Sequence, residues 1–303
     1  MAHEIIELFT TVPPGVVLDA TLGGGGHSEL LLERHPHLSI LGIDRDLSAI
    51  AAATQRLARF ADRFRAVHCR FDHLTTAMNT ANVATLSGAL FDLGVSSPQL
   101  DQAERGFSYR HDAPLDMRMD PSEPWSAADV VNGCTEQELT RILSEYGDER
   151  FAPRIARAII AHRPIESTAE LAEVVVGAIP AAARRTGGHP AKRSFQAIRI
   201  AVNRELEILP AAIDAAIAAT TVGGRVAVLS YHSGEDRIVK ERFRSAETGD
   251  CTCPSGLPCV CGAIRTVRLV RRVPRTPGAD ELASNRRAAS ARLRVVEKIA
   301  LDH

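Results

Sequence analysis

Near the start of the chain, two acidic residues flank a run of glycines in a pattern that could hold a cofactor. Asp19 ends a short β-branched run, glycines occupy positions 23–26, and Asp44 ends the next apolar run. Glycines at such a turn let a ligand approach the main chain, and a following helix presents unpaired N–H groups. Asp44, about 20 residues past the turn, is placed to hydrogen-bond ribose hydroxyls. The pattern predicts a nucleoside cofactor site, with a plain flexible loop as the alternative.

The spacing of the small residues distinguishes between two classes of nucleoside cofactor. Nicotinamide enzymes carry G-x-G-x-x-G, whereas Ser28 stands at the third glycine position here. Methyltransferases that use S-adenosylmethionine carry an acidic residue two positions before the first of three alternating small residues, and Asp19 with Thr21 fits that pattern. Asp46 could replace Asp44 at the ribose, although its position also suits the N-cap of the next helix. The main-chain cradle is predicted over Gly23, Gly24, Gly25, Gly26 and His27.

A second stretch, Asp92 followed by Ser96, Ser97 and Pro98, suits methylation of an amine. The lone pair of an exocyclic base amine is delocalised into the ring, so acceptors must hold its hydrogens while the nitrogen turns toward the methyl group. A strong general base is unnecessary, because the proton becomes acidic once the bond to carbon forms. Positioning therefore dominates the reaction, and we expect these four residues to place the amine.

Aromatic side chains follow two other predicted strands. Phe71 could stack beside the adenine of a cofactor or fill the core. Tyr231 could stack on an extruded base while a neighbouring serine or His232 reads its edge. Packing under the next helix is the alternative for this pair.

Four of the six cysteines are crowded into one Gly- and Pro-containing stretch, with the spacing C-x-C-x5-C-x-C. Four thiolates can hold zinc tetrahedrally, and reduced surface cysteines are the alternative. A disulfide framework does not suit a chain of this size. The candidate zinc ligands are Cys251, Cys253, Cys259 and Cys261.

The candidate residues can meet only if the strands that carry them are parallel neighbours. Strand patterns before the glycines and at 38–43, 64–68 and 87–91 alternate with helical patterns, one of them over 47–60. Right-handed crossovers then require a parallel sheet with ligands at the carboxyl ends of its strands. A fifth strand is predicted at 224–229, and 266–270 with 293–299 can add a hairpin.

Between these strands, residues 125–185 lose the alternation and carry successive helical patterns. Thr135 and Glu138 fit a capping box, which supports a helix start there. A single long helix is predicted over 195–219. We therefore expect a cofactor-binding domain over 1–104 and 192–303, with an inserted all-helical substrate-recognition domain over 105–191.

Composition favours a globular cytoplasmic protein with a polyanionic partner. Of the 303 residues, 45% are hydrophobic and 24% charged, and no stretch approaches a membrane span. The net charge of −1 conceals an asymmetry, since 237–298 holds fourteen Lys or Arg against six Asp or Glu. Such segments suit RNA or DNA, although arginine richness could also reflect the base composition of the genome.

From Asp92 onward the chain resembles the bacterial ribosomal RNA small subunit methyltransferase H family. The resemblance covers nearly the whole chain, and the stretches that carry it are 92–108, 114–120, 146–152, 193–199, 202–206, 230–237 and 292–295. It implies a Rossmann-like class I S-adenosylmethionine-dependent methyltransferase that methylates N4 of a cytidine in 16S rRNA, near the decoding centre of the 30S subunit. The cofactor contacts that it implies are Gly25, Gly26, His27, Asp44, Phe71, Asp92 and Gln99.

Two departures from the family pattern are visible. Family members usually carry a His-containing segment rich in Val and Leu before the first helix, whereas this chain starts at Met1-Ala2-His3-Glu4, so either the start is assigned short or a lid element is missing. The cysteine pairs occur in only some members. A non-catalytic RNA-binding assembly factor and a nicotinamide-dependent dehydrogenase are the competing functions, and a homodimer is an open possibility.

Overall fold

The structure, a computed structural model, describes residues 1–185, 188–254, 259–271 and 273–300. The chain divides into two compact units, Met1–Gly94 with Leu206–His303 and Val95–Glu205. The helical insert predicted over 105–191 falls inside the second unit, whose ends lie ten and fourteen residues beyond the predicted boundaries.

The first part of the first unit alternates helices and strands. Its strands match the predicted ones to within one residue at 38–43, 64–68 and 87–91. The helix predicted to run to residue 60 instead ends at Arg56, because a 3₁₀ turn at Ala58–Phe60 replaces its last turn. The elements are α1 (Ala2–Phe9), β1 (Gly15–Asp19), α2 (Gly26–Arg34), β2 (Leu38–Asp44), α3 (Leu47–Arg56), β3 (Phe64–His68), α4 (Leu74–Thr80) and β4 (Leu86–Asp92).

Helices are the regular secondary structure of the second unit in the residues that the structure describes, apart from one isolated bridge between Pro114 and Ser167. The predicted capping box is present, since the Thr135 hydroxyl accepts the Glu138 N–H and the Glu138 carboxylate accepts the Thr135 N–H at 2.7 Å. Apolar faces of the helices pack into one buried core. The helices are α5 (Ser97–Asp101), α6 (Ala127–Gly133), α7 (Glu136–Gly147), α8 (Ala152–Ala161), α9 (Thr168–Ala178) and α10 (Lys192–Asn203).

The single long helix predicted over 195–219 is wrong. Arg204 takes a left-handed conformation (φ 54°) and divides the segment into α10 and α11 (Glu205–Ala219). Buried Asn203 holds the end of α10 through hydrogen bonds to Met117 and Met119. These contacts come from a segment more than 80 residues earlier in the chain, so the local helical pattern could not reveal the break.

The chain then completes the sheet of the first unit. The remaining elements are β5 (Thr220–Ser230), α12 (Ser233–Thr248), β6 (Val267–Leu269), α13 (Ala279–Ser284) and β7 (Arg292–Lys298). β6 and β7 form the predicted antiparallel hairpin pair. None of the helices within the described ranges combines the length and the apolar character needed to cross a bilayer.

Seven strands of the described chain form one sheet in the order β3-β2-β1-β4-β5-β7-β6. Strands β1 to β5 are parallel, whereas β7 runs antiparallel to β5. The arrangement confirms the predicted Rossmann-like sheet of class I methyltransferases. From β1 the chain winds outward through β2 and β3 and then returns to β4 on the other side of β1. This change of direction opens a crevice at the carboxyl ends of β1 and β4, where ligands of such sheets bind.

Both faces of the sheet are covered, as a parallel sheet requires. Along β1 the side chains alternate, with Val17 in the cluster that includes α1 and α2, and Leu18 in the cluster that includes α4, α11 and α12. Both side chains are fully buried. The polar residues at the strand ends are therefore carried on a rigid support.

Candidate active site at the carboxyl ends of the strands

The turn between β1 and α2 is fastened by Asp19. The Ser28 hydroxyl donates to its Oδ2 at 2.6 Å, and both side chains are buried. Burial raises the pKa of Asp19 to about 6, although the Ser28 hydrogen bond and the charge of His27 act in the opposite direction. Ser28 thus makes a polar link to β1 at the position that a dinucleotide fingerprint fills with glycine.

The glycines of the turn leave room for a ligand. Gly25, the N-cap of α2, has φ 75°, a conformation that glycine adopts without strain. A Cβ built on Gly24 would meet no atom within 4 Å, so the chain is open to its surroundings there. The start of α2 adds backbone N–H groups and the positive end of the helix dipole. The turn fits the predicted main-chain cradle over positions 23–27.

Asp44 lies at the end of β2 with its carboxylate held by the backbone. Oδ2 accepts the Gly23 N–H at 2.8 Å, and Oδ1 accepts the Asp46 N–H at 2.9 Å. Burial is the main cause that raises the pKa of Asp44, against these hydrogen bonds. The Arg45 N–H is a third backbone donor to this carboxylate, and the lone pair that remains can accept a ribose hydroxyl. Asp46 is 3% exposed and caps α3 through the Ser48 N–H at 3.0 Å, so Asp44 is the better ribose candidate.

Asp92, at the end of β4, is the centre of a second cluster. The Tyr231 hydroxyl donates to Oδ1 at 2.7 Å, and His27 Nε2 lies 3.2 Å from Oδ2. The Asp92 N–H donates to the Thr21 hydroxyl at 2.6 Å, which ties the ends of β4 and β1 together. The structure thus brings three predicted site residues together, and the Asp92 carboxylate is held in one direction by two partners.

The charges of this cluster shift the pKa values of its members. Burial lowers the pKa of His27, but the hydrogen bond and the charge of Asp92 outweigh it and the net shift is upward. Burial raises the pKa of the Tyr231 hydroxyl, and the neighbouring Asp92 charge raises it further. Tyr231 is therefore a neutral hydrogen-bond donor, whereas the His27 ring can carry a positive charge beside Asp92.

His232 and Glu235 fix the segment after β5. Glu235 is 2% exposed, and its carboxylate accepts the Tyr231 N–H at 2.7 Å. His232 is the N-cap of α12, with Nδ1 accepting the Glu235 N–H at 3.4 Å and Nε2 lying 3.2 Å from Glu235 Oε1. The His232 ring is thus engaged in the cap, while Tyr231 is directed to Asp92.

Phe71 follows β3 in a short 3₁₀ turn, Phe71–His73. Its half-buried ring packs edge-to-face on Phe91 of β4, with 6.0 Å between the ring centroids. Phe71 thus contributes to the core and retains an exposed part.

The remaining residues predicted to contact the cofactor or the amine belong to the second unit. Ser96 is the N-cap of α5, and its hydroxyl accepts the Gln99 N–H at 3.4 Å. Gln99 is buried and its Oε1 accepts the Ser96 N–H at 3.0 Å, while Ser97 and Pro98 are exposed in the first turn. These contacts show a rigid turn within that unit.

Several residues of the site escaped the sequence analysis. The pattern of small residues includes Asp19 and Thr21 but indicates no contact for either, and Ser28 likewise carries no sequence signal for its contact. Glu235 follows His232 by three residues, which is the spacing of a capping box, and this signal could have found it.

The four cysteines that the sequence singles out also come together. Their Sγ atoms all lie within 4.8 Å of one another, between α12 and β6. Cys251 and Cys253 are half-buried, whereas Cys259 and Cys261 are exposed.

Comparison with known proteins shows which family the sequence matches. A sequence profile of the MraW methylase family matches residues 1–299. A ribosomal RNA small subunit methyltransferase H from Geobacter sp. (strain M21) is 52% identical over 99% of this chain and 97% of its own. Proteins of the same name from Saccharopolyspora erythraea (52% identical, 98% of this chain, 90% of its own) and Thermobifida fusca (50%, 98% and 92%) are similarly close.

Proposed function

The chain belongs to the MraW methylase family, and we propose that it transfers a methyl group from S-adenosylmethionine to the N4 amine of a cytidine in 16S rRNA, near the decoding centre. The observation that carries the proposal is the Asp92 carboxylate, held by Tyr231 and His27 at the crevice where the sheet changes direction. The relatives named above are ribosomal RNA small subunit methyltransferases. The choice of N4 and of the decoding centre rests on the resemblance of the motifs.

Residues of the first unit fit S-adenosylmethionine. Asp44 would accept the ribose hydroxyls, and the open turn at Gly24 with the first N–H groups of α2 would receive the main body of the cofactor. Strand β1 lies between β2 and β4, so Asp44 and Asp92 are about 10 Å apart across the sheet, a span that a nucleoside bridges. When bound, the cofactor supplies an electrophilic methyl group on a sulfonium. Phe71 would pack beside the adenine, and Gln99 is a further proposed contact.

Asp92 would accept a hydrogen bond from the target amine. Its Oδ1 already accepts from Tyr231, and this contact directs the remaining lone pairs of the carboxylate. An acceptor in a fixed direction holds the amine hydrogens and favours the nitrogen geometry that bond formation needs. The amine proton becomes acidic after the new bond forms, and it can leave through Asp92 to water. Ser96, Ser97 and Pro98 are proposed to help place the amine, and His232 to support this end of the site.

The arginine-rich region 260–300 of the first unit suits ribosomal RNA. Arginine forms bidentate contacts with phosphate groups, and a basic surface attracts a polyanion. The 30S subunit is the proposed partner, and the helical insert over 105–191 is proposed to recognise the substrate. A cytoplasmic location and a homodimer remain predictions. The exposed arginines that the structure describes in the 260–300 region are Arg265, Arg268, Arg271, Arg275, Arg287 and Arg292.

The direct test is transfer of a labelled methyl group to small subunits isolated from cells that lack the enzyme. We expect stoichiometric incorporation at one cytidine, located at N4 by mass spectrometry of the digested rRNA. Asp92→Ala should lower turnover by about 100-fold or more, because it removes a preorganised polar group that holds the reacting amine. Tight RNA binding without methyl transfer would support the assembly-factor alternative. Binding of NAD in place of S-adenosylmethionine would support the dehydrogenase.

Cofactor binding is tested separately by calorimetry. Asp44→Ala should abolish measurable S-adenosylmethionine binding, since the ribose acceptor and the anchor of the Gly23 N–H are removed together. Asp62→Ala, which removes an exposed carboxylate of the same unit, should bind normally. Unchanged affinity of the Asp44 variant would exclude Asp44 from the site.

A further inference from the structure

The segment that joins α12 to β6 is closed at its base. Gly249 follows the last turn of α12 with φ 62°, and a Cβ at this position would lie 2.3 Å from the Ile264 carbonyl oxygen. The Thr266 N–H donates to the Ala246 carbonyl at 3.1 Å beside it. The backbone on the two sides of the segment is therefore in close contact, and all four cysteines lie within the loop that these contacts close, between residues 249 and 264.

Three of the four sulfurs form a nearly equilateral triangle. The Sγ distances are 3.5 Å for Cys251 to Cys259, 3.5 Å for Cys259 to Cys261 and 3.6 Å for Cys261 to Cys251. Zinc–sulfur bonds of about 2.3 Å place tetrahedral ligands about 3.8 Å apart. The triangle therefore has nearly the dimensions of one face of a zinc–thiolate tetrahedron, and Cys253 is within reach of the fourth corner.

Disulfides do not account for this arrangement. A disulfide brings two sulfurs to about 2.05 Å and has no reason to keep a third at equal distance from both. The Val260 N–H donates to Cys253 Sγ at 3.4 Å, and hydrogen bonds of this kind stabilise thiolate ligands.

We propose that Cys251, Cys253, Cys259 and Cys261 bind one structural zinc ion. Four protein thiolates fill the tetrahedron, so no position is left for water or substrate. The ion would join the end of α12 to the segment that leads into β6 and thereby stabilise this part of the first unit. The site is independent of the proposed methyl transfer, because the sulfonium is already an activated leaving group and needs no Lewis acid.

The metal content of the full-length protein tests the site. Protein purified under reducing conditions without chelator should contain about one equivalent of zinc by elemental analysis. Cys251→Ser/Cys261→Ser should reduce zinc to background. The matched control, Cys69→Ser/Cys134→Ser, removes two half-buried cysteines outside the cluster and should retain the full zinc content.

A spectroscopic measurement on the unaltered protein tests the site without any substitution that could prevent folding. Cobalt(II) exchanged into the site should show the intense sulfur-to-metal bands of a tetrahedral thiolate centre. The proposal is overturned by zinc below roughly 0.1 equivalents together with no cobalt spectrum after reconstitution. Iron in place of zinc, or disulfides between these cysteines in reduced preparations, would overturn it equally.

Discussion

Asp92 shows how a single residue acquires a defined role from its contacts. The tyrosine that directs it lies 139 residues later in the chain, and the histidine beside it belongs to the glycine turn. The sequence already pointed to Asp92, Tyr231 and His27 as site residues. It assigned Tyr231 to stacking, whereas the geometry gives its hydroxyl to Asp92. Local sequence could identify the residue types at the strand ends, but it could not show which side chains touch.

The role of the Tyr231 hydroxyl can be measured with Tyr231→Phe. The substitution keeps the ring packing and removes the hydrogen bond to Asp92, an interaction with a charged group that is worth about 1.5–3 kcal/mol. We expect turnover to fall by roughly 10- to 100-fold while S-adenosylmethionine affinity stays within about twofold. The control is Tyr109→Phe, whose ring stacks on His189 in the second unit. Wild-type turnover in Tyr231→Phe would contradict a positioning role.

At neutral pH the buried, ionised Asp19 lowers the free energy of unfolding, and Asp19→Asn should remove this effect. Its pKa is about 6 in the folded protein against 3.8 for the free side chain, so folding favours the protonated form. The protonated Asp19 carboxyl contributes its full stabilisation of the folded state below pH 3.8, and this contribution is lost as the pH rises through 6. Over this window the wild type should lose about 3 kcal/mol relative to Asp19→Asn. Urea denaturation of both proteins between pH 4 and pH 7 measures the difference, and parallel pH curves would contradict the expectation.

At the scale of elements, the break between α10 and α11 separates local pattern from tertiary contact. Apolar spacing continues through 195–219, and the proline of this segment, Pro210, lies six residues beyond residue 204 and does not mark it as the end of a helix. The structure ends α10 at Asn203, whose amide oxygen accepts the Met119 N–H at 2.8 Å and whose Nδ2 donates to the Met117 carbonyl at 2.7 Å. Arg199 and Glu205 form a two-pronged ion pair across the break. The helix ends where these contacts are made.

Asn203→Ala should therefore destabilise the protein. Two buried backbone groups, the Met119 N–H and the Met117 carbonyl, would lose their partners at a cost of about 1–3 kcal/mol each. We expect a loss of about 2–5 kcal/mol in the free energy of unfolding, measured by chemical denaturation. Asn79→Ala, which changes an exposed asparagine in α4, should alter stability by less than about 0.5 kcal/mol. Equal effects of the two substitutions would show that the Asn203 hydrogen bonds contribute nothing.

At the scale of the whole molecule, the charge distribution relates the fold to its proposed RNA partner. The net charge is −1, yet the described arginines of the 260–300 region are largely exposed. Arg294 of the same region is used within the protein, since it pairs with both oxygens of Asp236 at 2.7 and 2.9 Å. Counting charges along the sequence therefore overstates the surface that is open to RNA.

The salt dependence of rRNA binding measures this surface. Replacement of Arg265, Arg271 and Arg275 by alanine should reduce the slope of log K against log salt by about 0.7 for each phosphate that is no longer neutralised. S-adenosylmethionine binding should be unchanged. Arg59→Ala, which removes an arginine that pairs with Glu29 and Glu33, is the matched control and should leave the slope as it is. An unchanged slope in the triple variant would show that RNA binds elsewhere.

The sequence by itself determined the class of the fold and the position of the glycine turn. Strand and helix alternation, the glycine run and the Thr135 cap are written in neighbouring residues, and their physics is local. Only the tertiary structure decided that Tyr231 directs Asp92, that a helix ends at Asn203 and that three cysteine sulfurs form a triangle. Such contacts depend on strand order, register and the path of a loop. These features arise from the packing of distant segments, which no local pattern specifies.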